Sequence, residues 1–393
     1  MPNDTDHAFA PSRGAALIRL AEFAPHMGAT YTRRRNFDLG PGRHTGVSML
    51  SPYLRHRVIS EREVVQTTLK THSYSASEKF IQEVFWRTYW KGWLERRPEI
   101  WRRYCADVDQ LFDQTDEAYL SAARGQTGID CFDQWVAELT ATGYLHNHAR
   151  MWFASIWIFT LKLPWQLGAN FFLQHLLDGD AASNTLSWRW VAGLQTKGKT
   201  YLALADNIEK FTEGRFKPAV GLAPKAEPLD DHIPAANPSP TSEQIPDGPV
   251  TLLITDDCLS PLDHLPPSVD VQKAILLQSV QNRAFGGVSH QVTEFTEALQ
   301  TDAAARLAGK GIESCVLQAG ESPPTDFADP GTDLIAVYPT LGAGQQALEQ
   351  FEHTAGQTVR RILPDWDMAC YPHCKRGFFP FKKEIPSLLD ALM

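Results

Sequence analysis

Eight prolines fall within residues 218–249, and the stretch is all but free of aromatic residues. Each proline fixes φ and removes a backbone donor, so this stretch cannot be a helix or a central strand. It reads as an extended, partly polyproline-II connector, able at about 3.1 Å per residue to reach on the order of 100 Å. The chain is therefore expected to divide into residues 1–217, the connector 218–249, and residues 250–393. Each flanking part is long enough to bury a core of its own.

The two parts are patterned differently. In residues 77–93, apolar and aromatic side chains recur at helical spacing, with Ser77 placed as an N-cap. Residues 127–142, 145–161 and 169–177 read likewise, and no alternating strand pattern stands out. After the connector, short apolar runs of strand length appear at 250–254, 274–277, 314–317 and 334–337. A helical stretch, 291–307, lies between the second and third runs and is closed by Gly309-Lys310-Gly311. Strands alternating with helices suggest a parallel sheet. The expected fold is multidomain: an all-α N-terminal part and a Rossmann-like α/β C-terminal part. There is no internal repeat and no GxGxxG.

Charge is placed unevenly. The whole chain carries −9; residues 1–220 hold 26 Lys+Arg against 23 Asp+Glu, and the remainder 11 against 23. The first part can present a basic face to nucleic acid, whereas the second is too acidic overall to approach a phosphate backbone. The six cysteines match no zinc or disulfide framework, and Cys370 and Cys374 lack a second pair, so no metal site is expected. The polar N-terminus lacks the plan of a signal peptide, and the longest apolar run, 151–161, falls far short of a membrane span. These features point to a cytoplasmic protein with no membrane association, expected to be a monomer.

The densest chemistry lies in Asp178-Gly179-Asp180-Ala181-Ala182-Ser183-Asn184-Thr185-Leu186-Ser187-Trp188-Arg189-Trp190. Carboxylates in such company need donors, and a ribose or a ring N–H supplies them. Indoles two residues apart stack on flat π systems or carry electrons. Three further segments stand out. Tyr31-Thr32-Arg33-Arg34-Arg35 leads to Ser48-Met49-Leu50-Ser51-Pro52, a hydroxyl-rich turn before a helix that suits a diphosphate. In Phe80-Ile81-Gln82-Glu83-Val84-Phe85-Trp86-Arg87, Glu83 and Arg87 share a helix face, which taken alone is a surface ion pair beside a core indole. In Tyr144-Leu145-His146-Asn147-His148-Ala149-Arg150-Met151, the two histidines diverge by about 200° on a helix, so they do not share a metal.

In order and at compatible spacing, these four segments resemble the flavin domain of the photolyase/cryptochrome family. The resemblance implies FAD as cofactor. It places Tyr31, Ser48, Met49, Leu50 and Ser51 around the FAD phosphates, with Met49 where many members carry Arg. Phe80, Arg87, Tyr144, Asn147 and Arg150 fall at flavin contacts, Asp178 and Asp180 at the isoalloxazine and ribityl edge, and Asn184 opposite flavin N5. Glu83, Trp86, Met151 and Trp190 match the residues that hold a pyrimidine lesion. Arg35 matches a DNA-phosphate contact, and His148 replaces an Arg that serves the same backbone. Trp188 and Trp165 match the first two members of the photoreduction chain. The third has no counterpart: Phe112 sits near its place, and Trp101, Trp135 and Trp157 remain open. The histidine pair of the (6-4) photolyases is absent from Asn147 and Met151, so the chain looks like the cyclobutane-dimer type.

The C-terminal part resembles the family's antenna domain, which normally comes first. Ala308-Gly309-Lys310-Gly311-Ile312 precedes a strand, and Arg361-Ile362-Leu363-Pro364 and Gly377-Phe378-Phe379-Pro380-Phe381-Lys382-Lys383 resemble that domain's close. The implied arrangement is a circular permutation through the proline-rich connector. The turn Leu341-Gly342-Ala343-Gly344 lacks the acidic residue of folate antennas, which leaves an antenna chromophore open. The resemblance implies light-driven repair of cyclobutane pyrimidine dimers, with damaged DNA as partner. A cryptochrome-like light sensor and a light-independent flavoprotein are the alternatives.

Overall fold

The computed structural model describes residues 9–217, 221–327 and 331–393; the first three residues of the expected connector lie outside them. From Arg13 to Phe211 the regular elements are all helical. The longest helix, Tyr74–Glu95, begins one turn before the expected start. Ser73 caps it by accepting from the Ala76 N–H. Ser77 is instead buried in the first turn, its hydroxyl donating to the Ser73 carbonyl at 2.9 Å. The preceding helix, Glu61–Thr71, is set by a capping box in which Ser60 and Glu63 satisfy each other's backbone N–H. The helix Asn147–Ser155 runs directly into a π-helical turn, Ile156–Thr160, and the helices Trp165–His175 and Ala181–Val191 complete the core around the site.

Residues 221–248 contain no helix or strand. They do not swing free. The Asn237 N–H donates to the Arg96 carbonyl at 2.8 Å, and Asp231 accepts from Arg103 at 2.8 Å and from Arg189 at 2.6 Å.

The C-terminal half is a five-stranded parallel sheet: β1 (Pro249–Thr255), β2 (Asp270–Gln278), β3 (Glu313–Gln318), β4 (Asp333–Val337) and β5 (Val359–Ile362), ordered β3-β2-β1-β4-β5. β1 is buried at every residue after Pro249, as a strand covered on both faces must be. The helices His290–Ala308 and Ala343–Ala355 make the crossovers β2 to β3 and β4 to β5. β5 was not expected from sequence: its four residues include two arginines.

Strand order reverses between β1 and β4, and in such sheets the crevice beyond the carboxyl ends of these strands is the usual ligand site. Here the helical half fills it. Arg55 pairs with Asp257, and His56 Nδ1 lies 2.7 Å from the Asp256 carbonyl. Glu95 accepts from the Tyr338 hydroxyl at 2.8 Å and from the Leu341 N–H at 2.6 Å. Arg57 pairs with Asp367, both deeply buried, and the Trp366 indole donates to Thr88 at 2.9 Å.

Candidate functional site

Asp180 is the N-cap of Ala181–Val191, accepting from the Ser183 N–H at 2.8 Å. Its other carboxylate oxygen lies 3.5 Å from Arg87 and 3.7 Å from Lys91. Burial raises the cost of its charge, but Arg87, Lys91 and Arg55 outweigh that and hold the carboxyl well below the ordinary range. Burial, reinforced by Arg87, pushes the Lys91 ammonium down to about 8. Asp178 is gripped by Arg150 through two parallel bonds of 2.9 and 2.8 Å. Arg150 also donates to the Leu145 carbonyl and lies over the Tyr144 ring. Asn184 donates its amide to the Ala169 carbonyl at 2.8 Å, which turns its own carbonyl oxygen the opposite way. Nearby on the same helix, Ser183 Oγ and Trp188 Nε1 are buried with no hydrogen-bond partner among the described residues. Unmet polar atoms next to an oriented amide and two clamped carboxylates fit a flavin, whose ring edge offers both donors and acceptors.

The remaining expected residues divide into two groups. Tyr31 stacks edge-on against Phe80, with ring centres 5.0 Å apart. Met49 adopts a left-handed backbone (φ 53°) between Ser48 and Leu50, and the short helix Ser51–Arg55 that follows has no side-chain cap. Arg87 does not pair with Glu83, its expected helix neighbour. It turns inward to Glu61 at 3.3 Å and to Asp180. Glu83 is paired instead with Arg35, so a residue matched to the lesion and one matched to DNA phosphate meet directly. Trp86 is covered by Phe378, the rings 3.6 Å apart and nearly parallel at 11°. Trp190 packs on Tyr201, and His148 lies over Trp152 with its Nε2 2.9 Å from the Tyr201 hydroxyl. Asn147 is exposed at the start of its helix, and Met151 is half-buried at its middle.

Of the three tryptophans left open by sequence, Trp157 touches Trp188 directly, with centres 6.2 Å apart and planes at 87°. Gly168 permits this: a Cβ there would come within 2.3 Å of Trp188 and 2.9 Å of Trp157. Trp157 in turn meets Tyr119 at 5.9 Å. Trp165 stacks toward Tyr104 at 5.7 Å, and Tyr104 on Trp101 at 5.1 Å. Trp135 belongs to a separate stack with Trp152, and Phe112 packs against Gly286 of the α/β half. Lys91 and Arg55 had no signal in local sequence, because their roles arise from distant segments; for the same reason the sequence could not single out Trp157 or place Phe378 over Trp86.

Asp38, His44 and Glu138 bring ligand-type atoms within 4.8 Å of one another, all three buried. Hydrogen bonds and the ion pair to Arg215 engage the cluster. Asp38 binds Arg215 at 2.6 Å, the Trp135 indole at 3.1 Å and the Gly40 N–H at 3.1 Å, while Glu138 holds His44 at 2.9 Å. Among the described residues, no helix is long and apolar enough to cross a membrane.

Residues 80–215 match the FAD binding domain of DNA photolyase. Over 212 residues the chain is 32% identical to a deoxyribodipyrimidine photo-lyase of Synechococcus sp., covering 51% of this chain and 43% of that protein. The corresponding photo-lyase of Escherichia coli is 29% identical over 224 residues, covering 54% and 46%. A solved bacterial class III photolyase from Agrobacterium tumefaciens is 26% identical, with TM-score 0.43, over 54% of this chain and 46% of that one. These matches span under half the length of each relative. The matched segment precedes the α/β half, an order that supports a circularly permuted arrangement.

Proposed function

From a helical half homologous to the photolyase/cryptochrome family, we propose that the chain repairs cyclobutane pyrimidine dimers in DNA under light. The supporting observation is the cluster of Asp178, Asp180 and Asn184, held in place by Arg150, Arg87 and Lys91 and flanked by the unmet Ser183 and Trp188 atoms. In this reading, residues 1–217 form the FAD-binding domain, residues 250–393 a permuted antenna-like domain, and residues 218–249 the join. FAD, when bound, supplies the light-driven electron donor. Tyr31, Ser48, Met49, Leu50 and Ser51 hold its phosphates. Phe80, Arg87, Tyr144, Asn147, Arg150, Asp178, Asp180 and Asn184 hold the rest.

On the substrate side, Trp86, Met151 and Trp190 receive the flipped dimer by shape and stacking. Arg35 leaves Glu83 for a DNA phosphate, freeing the Glu83 carboxyl to hydrogen-bond the dimer and steady its negative charge. His148 lies along the DNA backbone. Trp188, relayed by Trp165 or Trp157, returns reducing equivalents to the site.

The test is an oligonucleotide containing one thymine dimer, incubated in light with reduced protein and analysed chromatographically for dimer loss. Loss that requires light and fails in Glu83→Ala supports the reading; equal loss in Glu83→Ala contradicts it. A light sensor acting through a protein partner is the second reading. It is favoured by the Glu83–Arg35 pair and the Phe378 cover on Trp86, which occupy the substrate-facing atoms.

A further inference from the structure

The segment 374–383, Cys-Lys-Arg-Gly-Phe-Phe-Pro-Phe-Lys-Lys, is unlike the rest of its acidic half. Lys375, Arg376, Lys382 and Lys383 lie within nine residues, and no acidic residue occurs from 368 to 383. At its centre, Phe379 is 77% exposed, the most exposed large apolar side chain among the described residues and the one aromatic in that group. An isolated exposed Leu needs no explanation, but a phenyl ring held in water between cations is a different matter.

The ring does not sit on a loose arm. On either side of it, Phe378 stacks on Trp86 and Phe381 packs on Tyr89 and Phe85. The Tyr89 hydroxyl donates to the Arg376 carbonyl at 2.6 Å, Arg97 donates to the Lys375 carbonyl at 2.8 Å, and Lys382 pairs with Glu78 at 3.2 Å. The whole turn is thus fixed along the Tyr74–Glu95 helix, which also carries Glu83 and Trp86. Its other side chains, Lys375, Arg376 and Lys383, are exposed.

We propose that this turn is a DNA contact of the α/β half, with Phe379 stacking on a nucleobase next to the lesion while Lys375, Arg376 and Lys383 track the phosphates. It rests on the repair reading, and it adds to that reading a second, distant segment of the chain at the same DNA. The physics is that of a stacking wedge in a cationic frame: every base offers a π face, and preset cations release counterions on binding. Ordering costs are low because Phe381 packed on Tyr89 and Phe85, with the Tyr89 and Arg97 bonds to the Arg376 and Lys375 carbonyls, fixes the backbone that presents Phe379 even when Phe378 gives up Trp86 to the dimer.

The experiment measures binding of a fluorescent duplex with one thymine dimer, and of the same duplex undamaged, across a salt series. The proteins are wild type, Phe379→Ala, Phe379→Trp and the triple variant Lys375→Gln/Arg376→Gln/Lys383→Gln, with anionic phosphatidylserine vesicles as a parallel probe. Phe379→Ala is expected to weaken dimer-duplex binding about tenfold, Phe379→Trp to restore it, and the triple variant to flatten the salt slope by about 2 to 3. These side chains are on the surface, so unchanged melting curves exclude misfolding as the cause. Wild-type binding that all variants retain, with the same salt slope, overturns the inference and leaves the repair reading intact. A wild type that binds vesicles but neither duplex overturns both.

Discussion

At the scale of single residues, the site depends on buried charges that partner each other across the chain. Asp180→Asn keeps the helix cap, since Asn caps as well as Asp, but leaves Lys91 and Arg87 facing a neutral group. It is expected to cost about 3 kcal/mol, because breaking a buried pair strands its partner. Urea unfolding checks this, and an unchanged midpoint would show that the cluster does not depend on that charge. Gly168→Ala forces a methyl into Trp188 and Trp157 and should cost about 1–3 kcal/mol, with altered tryptophan fluorescence. The sequence made the carboxylates, Arg150 and Asn184 legible because they lie in contiguous motifs. It misassigned the partner of Glu83, since a helix pattern cannot foresee Arg35 arriving from another segment, and it missed Phe378 over Trp86 for the same reason.

Among the elements, the helical character of residues 1–217 was clear, but helices such as Glu61–Thr71 and Pro98–Phe112 were not singled out and helix starts were imprecise. Ser73 rather than Ser77 opens the long helix because both are hydroxyl residues at plausible cap positions, and only the packing of the first turn selects between them. The capping box at Ser60 gives a clean measurement: Ser60→Ala should lose about 1 kcal/mol in thermal unfolding, and no loss would mean that tertiary contacts alone hold Glu61–Thr71. β5 escaped notice because a four-residue edge strand with two arginines carries no alternation to read. The π-helical turn at Ile156–Thr160 was likewise invisible, yet it carries Trp157, the indole in contact with Trp188.

For the whole molecule, the main structural fact is that the crevice of the parallel sheet is closed by the helical half. Glu95 sits at that junction, and burial pushes its carboxyl up to about 7. A carboxyl raised above its unfolded value near 4.5 contributes stability that is complete below pH 4.5 and is lost as pH rises through 7. Glu95→Gln, whose carbonyl oxygen can accept from the Leu341 N–H while its amide NH2 donates to the Tyr338 oxygen with that bond reversed, should therefore flatten the decline in melting temperature between pH 5 and 8; an unchanged profile would mean that Glu95 is not the group responsible. The division into a helical and an α/β half was plain from the proline-rich stretch and the change in patterning. The closed crevice was not, because it is made by single side chains, Arg55, His56 and Glu95, reaching across the junction. Light-driven dimer repair by the helical half is read directly by absorbance at 260 nm. Reduced protein mixed with a thymine-dimer oligonucleotide should restore that absorbance under blue or near-UV light and leave it unchanged in the dark. No restoration by flavin-loaded, photoreduced protein that binds the oligonucleotide would contradict the account.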